Sequence, residues 1–127
     1  MQDLQEFVDH YLSELAGPNA FRARHSLIEA GAGALPLVIE AFHASANVHV
    51  RHSLVELVSD YRASSAVPFL VSCLSDPRTE VWRSALDGMV ILGGAIALEG
   101  LRDARGTIPR ERRPWIDEAM QQIIDNH

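Results

Sequence analysis

Lysine is missing from this sequence: all eleven basic residues are arginine, set against seventeen acids, for a formal net charge of −6. That balance counts against general nucleic-acid binding, which needs a basic surface to neutralise phosphates. It suits a basic protein partner. Cysteine is nearly missing too. Cys73 stands alone, so no internal disulfide can form and a reducing compartment is expected. Aromatics make up only 6% of the chain, which leaves Leu, Val, Ile and Ala to build the core and favours helices. No apolar run approaches the roughly 18 residues of a membrane span. The N-terminal stretch MQDLQEFVDHYLSEL has neither the basic n-region nor the continuous apolar h-region of a signal peptide. A cytoplasmic protein with no membrane partner is the expectation. No segment alternates apolar and polar residues with period two, so no strand is expected. No linker divides residues 1–127, which are long enough for one domain with a real core.

What is present is helical and repeated. The stretch Ala66–Gly94 reads as two helices around a break at Ser75-Asp76-Pro77. In its second helix Val81, Ala85, Met89 and Leu92 are spaced by three and four residues, which puts one apolar stripe along the helix. Gly93-Gly94 stops it. The same reading gives helices over 3–16, 20–30, 34–44, 48–61, 95–104 and about 108–124. Pro109 and Pro114 make the start of the last one uncertain, and Asn19 and Asp76 or Ser75 are placed to cap helices. Arg24-His25-Ser26-Leu27-Ile28-Glu29 recurs 27 residues later as Arg51-His52-Ser53-Leu54-Val55-Glu56, with a weaker echo from Arg83. Ala34-Leu35-Pro36 recurs as Ala66-Val67-Pro68, 32 residues later. Repeats of this length are the signature of an α-solenoid, here all-α with about four helical hairpins stacked in a superhelix.

The pattern resembles the HEAT-like repeat family, including the short bacterial HEAT repeats related to those of phycobilisome lyases. The resemblance is carried by Ala66, Pro68, Leu70, Leu74, Asp76, Val81, Ala85 and Gly93, and in the preceding repeat by Pro36 and Val50-Arg51. Two departures stand out. Trp82 sits where Arg usually follows Val, and Ser45–Asn47 replaces the turn Asp. The resemblance implies a superhelix whose second helices line a concave face, and it implies protein binding more often than catalysis.

Several residues are candidates for contact with a partner. Glu29, Glu56, Asp60 and Asp87 lie on successive second helices; they either form an acidic stripe along one groove or an ordinary solvated face. His25 and His52 hold the same repeat position, so stacking would bring them near each other, either as polar lining of the repeat groove or partly packed. Trp82 is a contact residue in one register and a core residue in the other, while Trp115 is expected to pack in the terminal helix. Arg51 and Arg83 can reach an Asp in a turn, a ladder that would fix hairpin orientation. His49 and His52 are three apart, but no evident Cys, Asp or Glu completes a metal site. Arg102, Arg105, Arg110, Arg112 and Arg113 form the sole basic cluster, diluted by Asp103 and Glu111. Cys73, on an apolar face without a basic neighbour, reads as core. No phosphate loop, nucleophile elbow, HExxH or CxxC motif occurs. The expectation is a non-catalytic module that binds a basic protein through its concave face without metal or cofactor, as a monomer or weak homo-oligomer. An immunity protein blocking a basic toxin is a special case. The alternatives are a DNA-acting enzyme of the HEAT-like glycosylase type and a chromophore-lyase-like module, both drawn from the family resemblance alone.

Overall fold

The computed structural model describes residues 3–126, so His127 lies outside the described part. Eight α-helices follow one another: α1 (Leu4–Ser13), α2 (Ala20–Glu29), α3 (Leu35–Ala44), α4 (Val48–Asp60), α5 (Val67–Cys73), α6 (Thr79–Leu92), α7 (Gly94–Ala104) and α8 (Arg113–Asp125). Short 3-10 turns lead into α3, α5 and α8. Among the described residues there is no strand. Each odd-numbered helix packs on the even-numbered helix that follows it. Packing also runs along the even row, from α2 to α4, from α4 to α6 and from α6 to α8. On the odd side α1 touches α3 and α5 touches α7. An edge-to-face pair of Phe42 and Phe69, with ring centroids 5.0 Å apart, joins α3 to α5.

The helices begin and end where local chemistry directs them. Asp3 caps α1 by accepting from the Glu6 N–H, and Asn47 caps α4 by accepting from the His49 and Val50 N–H groups. Pro36, Pro68 and Pro114 each sit in the first turn, where their missing N–H breaks no helical bond. Gly93 and Gly94 both adopt positive φ, +65° and +75°, so the chain reverses between α6 and α7 with no intervening loop. The apolar stripes meet in one continuous core. Leu27, Leu54, Leu57, Leu70, Leu74 and Met89 are among its largest fully buried side chains.

Four details of the sequence reading are corrected. α1 ends at Ser13 instead of Ala16, because the chain already turns before Gly17-Pro18. Asn19 makes no side-chain cap to α2. Asp76 caps its own loop by accepting from the Arg78 N–H, three residues before α6 begins. α8 starts at Arg113, because Pro109 and the turn at 110–112 hold the chain out of α-helix; Ile108, ahead of that turn, is buried in the core.

Candidate functional site

The even-numbered helices bring carboxylates together on one side. Glu56 and Asp60 from α4 and Asp87 from α6 line a cavity of about 160 Å³, with Arg24 from α2 at its edge and Ser84 and Gly88 in its wall. At its wall α4 and α6 approach very closely, at Gly88. Ser59 reinforces the contact; its hydroxyl is buried and donates back to the Val55 carbonyl at 2.9 Å.

The charges are not equivalent. Asp60 is engaged by Arg24, whose Nε and Nη2 both donate to Oδ2, a clamp that ties α2 to α4. Glu56 lies 3.1 Å from His52 Nε2 one turn earlier. The Nδ1 of the same ring is 3.0 Å from Ser84 Oγ on α6. Nδ1 also lies 3.3 Å from the Glu80 carbonyl, so the ring bridges Glu56 of α4 to two oxygens of α6. Asp87 is exposed and makes no hydrogen bond or ion pair among the described residues.

The repeated hexapeptide is also a repeated geometry. His25 pairs with Glu29 and His52 with Glu56, each at 3.1 Å along its own helix. Leu27 and Leu54, at matching positions, are both fully buried. His25 and Glu29 remain on the exposed surface of α2 and do not line the cavity with Glu56, Asp60 and Asp87. Among the described residues, no group of three or more His, Cys, Asp or Glu side chains converges as a metal site.

The ladder expected of the arginines takes two forms. Arg51 reaches Asp76 at 3.4 Å, donates to the Ser45 carbonyl and stacks on the Phe42 ring at 4.7 Å. It thereby links two successive turns. Arg83 finds no Asp. Its guanidinium instead lies 4.2 Å from the centroid of Trp115 and 5.6 Å from that of Trp82.

The tryptophans divide between core and surface. Trp82 is only 6% exposed and belongs to the core, so of its two registers the structure has the buried one and not the exposed contact position. Its neighbour Arg83, not Trp82, takes the outward position. Trp115 is 44% exposed, although it was expected to pack. The two rings meet edge to face at 6.0 Å. The arginine cluster is dispersed. Arg105 forms a two-pronged pair with Asp117 at 2.7 and 2.9 Å, and this hydrogen-bonded guanidinium holds the Asp117 carboxyl below its usual range. Arg112 turns inward: its Nη1 donates to the Leu74 and Asp76 carbonyls at 2.6 and 2.8 Å while the guanidinium covers Trp82 at 4.9 Å.

Cys73 is buried, and burial, reinforced by the Asp76 charge, pushes its thiol up to about 12. It is a packing residue. A separate cavity of about 270 Å³ between the end of α1 and the start of α4 is lined by Leu12, Leu15, Ala16, His49, Val50 and Ser53. It is mainly apolar and contains no carboxylate. No helix among the described residues is by itself long and apolar enough to cross a membrane. No protein family, curated protein or solved structure matches this chain.

Proposed function

We propose that the chain is a HEAT-like stack of four hairpins, α1/α2, α3/α4, α5/α6 and α7/α8, acting as a non-catalytic protein-binding module. The even-numbered helices then form its concave face. The reading is supported by the packing of α2, α4, α6 and α8 in succession and by the hexapeptide that repeats its His–Glu pair from α2 to α4. The observation that carries the function is the shared cavity of Glu56, Asp60 and Asp87 between α4 and α6. Asp60 is already neutralised by Arg24 and Glu56 is steadied by His52, so Asp87 is the free charge and Glu56 its support. A lysine or arginine from a basic partner fits this arrangement: the acidic surface steers the approach and the carboxylates hold the cation on arrival. A partner enzyme blocked in this way, as by an immunity protein, is one form the interaction takes.

Asp60 is a poor residue to mutate as a test, because its loss also breaks the α2–α4 clamp. The test is affinity capture from native lysate with wild type and with the double variant Glu56→Arg/Asp87→Arg. The expected result is a stoichiometric partner with a basic contact surface. Its binding weakens as salt rises and is lost in the variant, which still folds by circular dichroism. A partner retained by the folded variant would move the interface to another face.

A further inference from the structure

The same side of the molecule changes character between α6 and α8. Arg83 is exposed on α6 one turn before Asp87, so the two side chains share a face about 6 Å apart. Arg83 forms no ion pair or hydrogen bond among the described residues, yet it is not loose. Trp115 lies under its guanidinium at 4.2 Å and Trp82 flanks it at 5.6 Å. Arg112, anchored on the Leu74 and Asp76 carbonyls, covers Trp82 at 4.9 Å. Arg24, Arg51 and Arg105 each face a carboxylate. Arg83 is fixed by aromatic stacking alone. Stacking on a ring leaves the in-plane N–H donors of a guanidinium unused, and those donors match a carboxylate. Trp115, nearly half exposed beside it, offers apolar area whose burial would accompany the pairing.

We propose that Arg83, held over Trp115, is a carboxylate subsite, and that the protein segment bound on this face carries an acidic side chain beside the cation taken by Asp87 and Glu56. The inference rests on the reading of this face as a protein-binding surface. Because Arg83 and Asp87 are one helical turn apart, the partner's two charges are equally close: i and i+4 along a helix, or i and i+2 along a strand. A polyanion such as nucleic acid is disfavoured. Asp87 lies on one side of Arg83, and α8 carries Asp117 and Glu118 beyond Trp115. A single carboxylate within a basic segment suits the pattern. The combination also gives direction. A uniformly basic segment binds an acidic groove in either orientation, whereas adjacent subsites of opposite sign accept one.

The test is selection of short random peptides, displayed on phage, against the full chain. Affinities of the selected peptides are then measured with wild type, Arg83→Gln and Glu56→Arg/Asp87→Arg. Trp82 and Trp115 are the two tryptophans of the sequence, so their emission reports on the Arg83 subsite without a label. The expected peptides pair Lys or Arg with Asp or Glu within four residues and shift the tryptophan emission. Replacing the peptide carboxylate by an amide weakens binding to wild type about tenfold, the effect of losing a charge-assisted hydrogen bond, and does not weaken binding to Arg83→Gln. Basic peptides that need no carboxylate and are lost in Glu56→Arg/Asp87→Arg would overturn the Arg83 subsite while leaving the acidic groove standing. A carboxylate effect that persists in Arg83→Gln would also overturn it. Absence of any selected peptide would overturn both, as would exclusive binding of an oligonucleotide.

Discussion

Ser59 of α4 occupies the space in which a side chain at Gly88 of α6 would lie. A Cβ at position 88 would be 2.1 Å from Ser59 Oγ and 2.9 Å from Ser59 Cβ. Alanine in a helix interior is normally favoured over glycine by about 1 kcal/mol. Here the new methyl meets a short side chain whose hydroxyl is tied to the Val55 carbonyl, so the helices themselves must separate. Gly88→Ala should therefore destabilise the protein by about 1–3 kcal/mol, the usual cost of overpacking, despite the better propensity. Adding Ser59→Ala removes the nearer contact but keeps Cβ, so thermal melts should show partial recovery. A melting temperature of Gly88→Ala at or above wild type would disprove the close approach of α4 and α6.

Asp76 joins Arg51 of α4 to the turn that precedes α6. It faces Arg51 at 3.4 Å and Arg78 at 3.7 Å, and accepts from the Arg78 N–H at 2.9 Å. The Arg51 and Asp76 side chains are only 18% and 9% exposed, so the pair is better shielded than a surface bridge. Asp76→Ala would leave Arg51 half-buried without its anion, at a cost of about 2–3 kcal/mol. Asp76→Asn keeps an oxygen for the loop N–H and should lose about half as much. Urea denaturation of both variants gives the comparison. Equal losses would mean that the charge contributes nothing beyond the cap.

The helices were legible in the sequence because their signals are local: apolar spacing, prolines in first turns and glycines at ends. The buried Cys73 was legible from its apolar face and its lack of a basic neighbour, and the Arg51–Asp76 contact from the position of each within its repeat. Trp82 and Trp115 were not. A one-residue change of register decides whether Trp82 or Arg83 points outward, and the spacing near Val81 allows both. What settles it is Arg112, thirty residues away on the chain, which turns inward to the Leu74 and Asp76 carbonyls and covers Trp82. The acidic stripe was partly legible. Glu56, Asp60 and Asp87 do meet, but the capture of Asp60 by Arg24 depends on the crossing of α2 and α4, which no local pattern encodes. Ser59 and Gly88 gave no signal beyond being small.

Alkaline pH should unfold the protein earlier than its surface charge alone would. Burial raises the Cys73 thiol from 9.0 to about 12 and the Tyr61 hydroxyl from 10.0 to about 12. Both groups ionise more readily in the unfolded chain, so above about pH 9 the unfolded state binds fewer protons than the native one. Stability then falls as pH rises, fully present below pH 9 and progressively lost toward pH 12. Tyr61, whose hydroxyl donates to the Leu27 carbonyl, is the more solvated of the two and contributes less than its shift alone implies. Cys73→Ala, with the methyl-sized loss of packing measured at pH 7 as reference, should flatten the decline between pH 9 and 10. An unchanged slope would remove Cys73 as its cause.

The tryptophans provide the sharpest contrast between core and surface. Trp82→Ala removes a buried indole from between α6 and α8 and should cost about 3–5 kcal/mol. Trp115→Ala removes a ring that is already half in water, and about 1 kcal/mol is expected, most of it from the lost stacking with Arg83. Arg112→Ala tests the connection between them. It would deprive the Leu74 and Asp76 carbonyls of their donor and uncover Trp82, so its cost should exceed that of Trp115→Ala, at about 2 kcal/mol. The order Trp82, Arg112, Trp115 by urea denaturation follows from Arg112 being an internal brace and Trp115 an outward platform. A larger loss for Trp115→Ala than for Arg112→Ala would reverse those roles, and Trp115 would then be the residue that holds α8 in place.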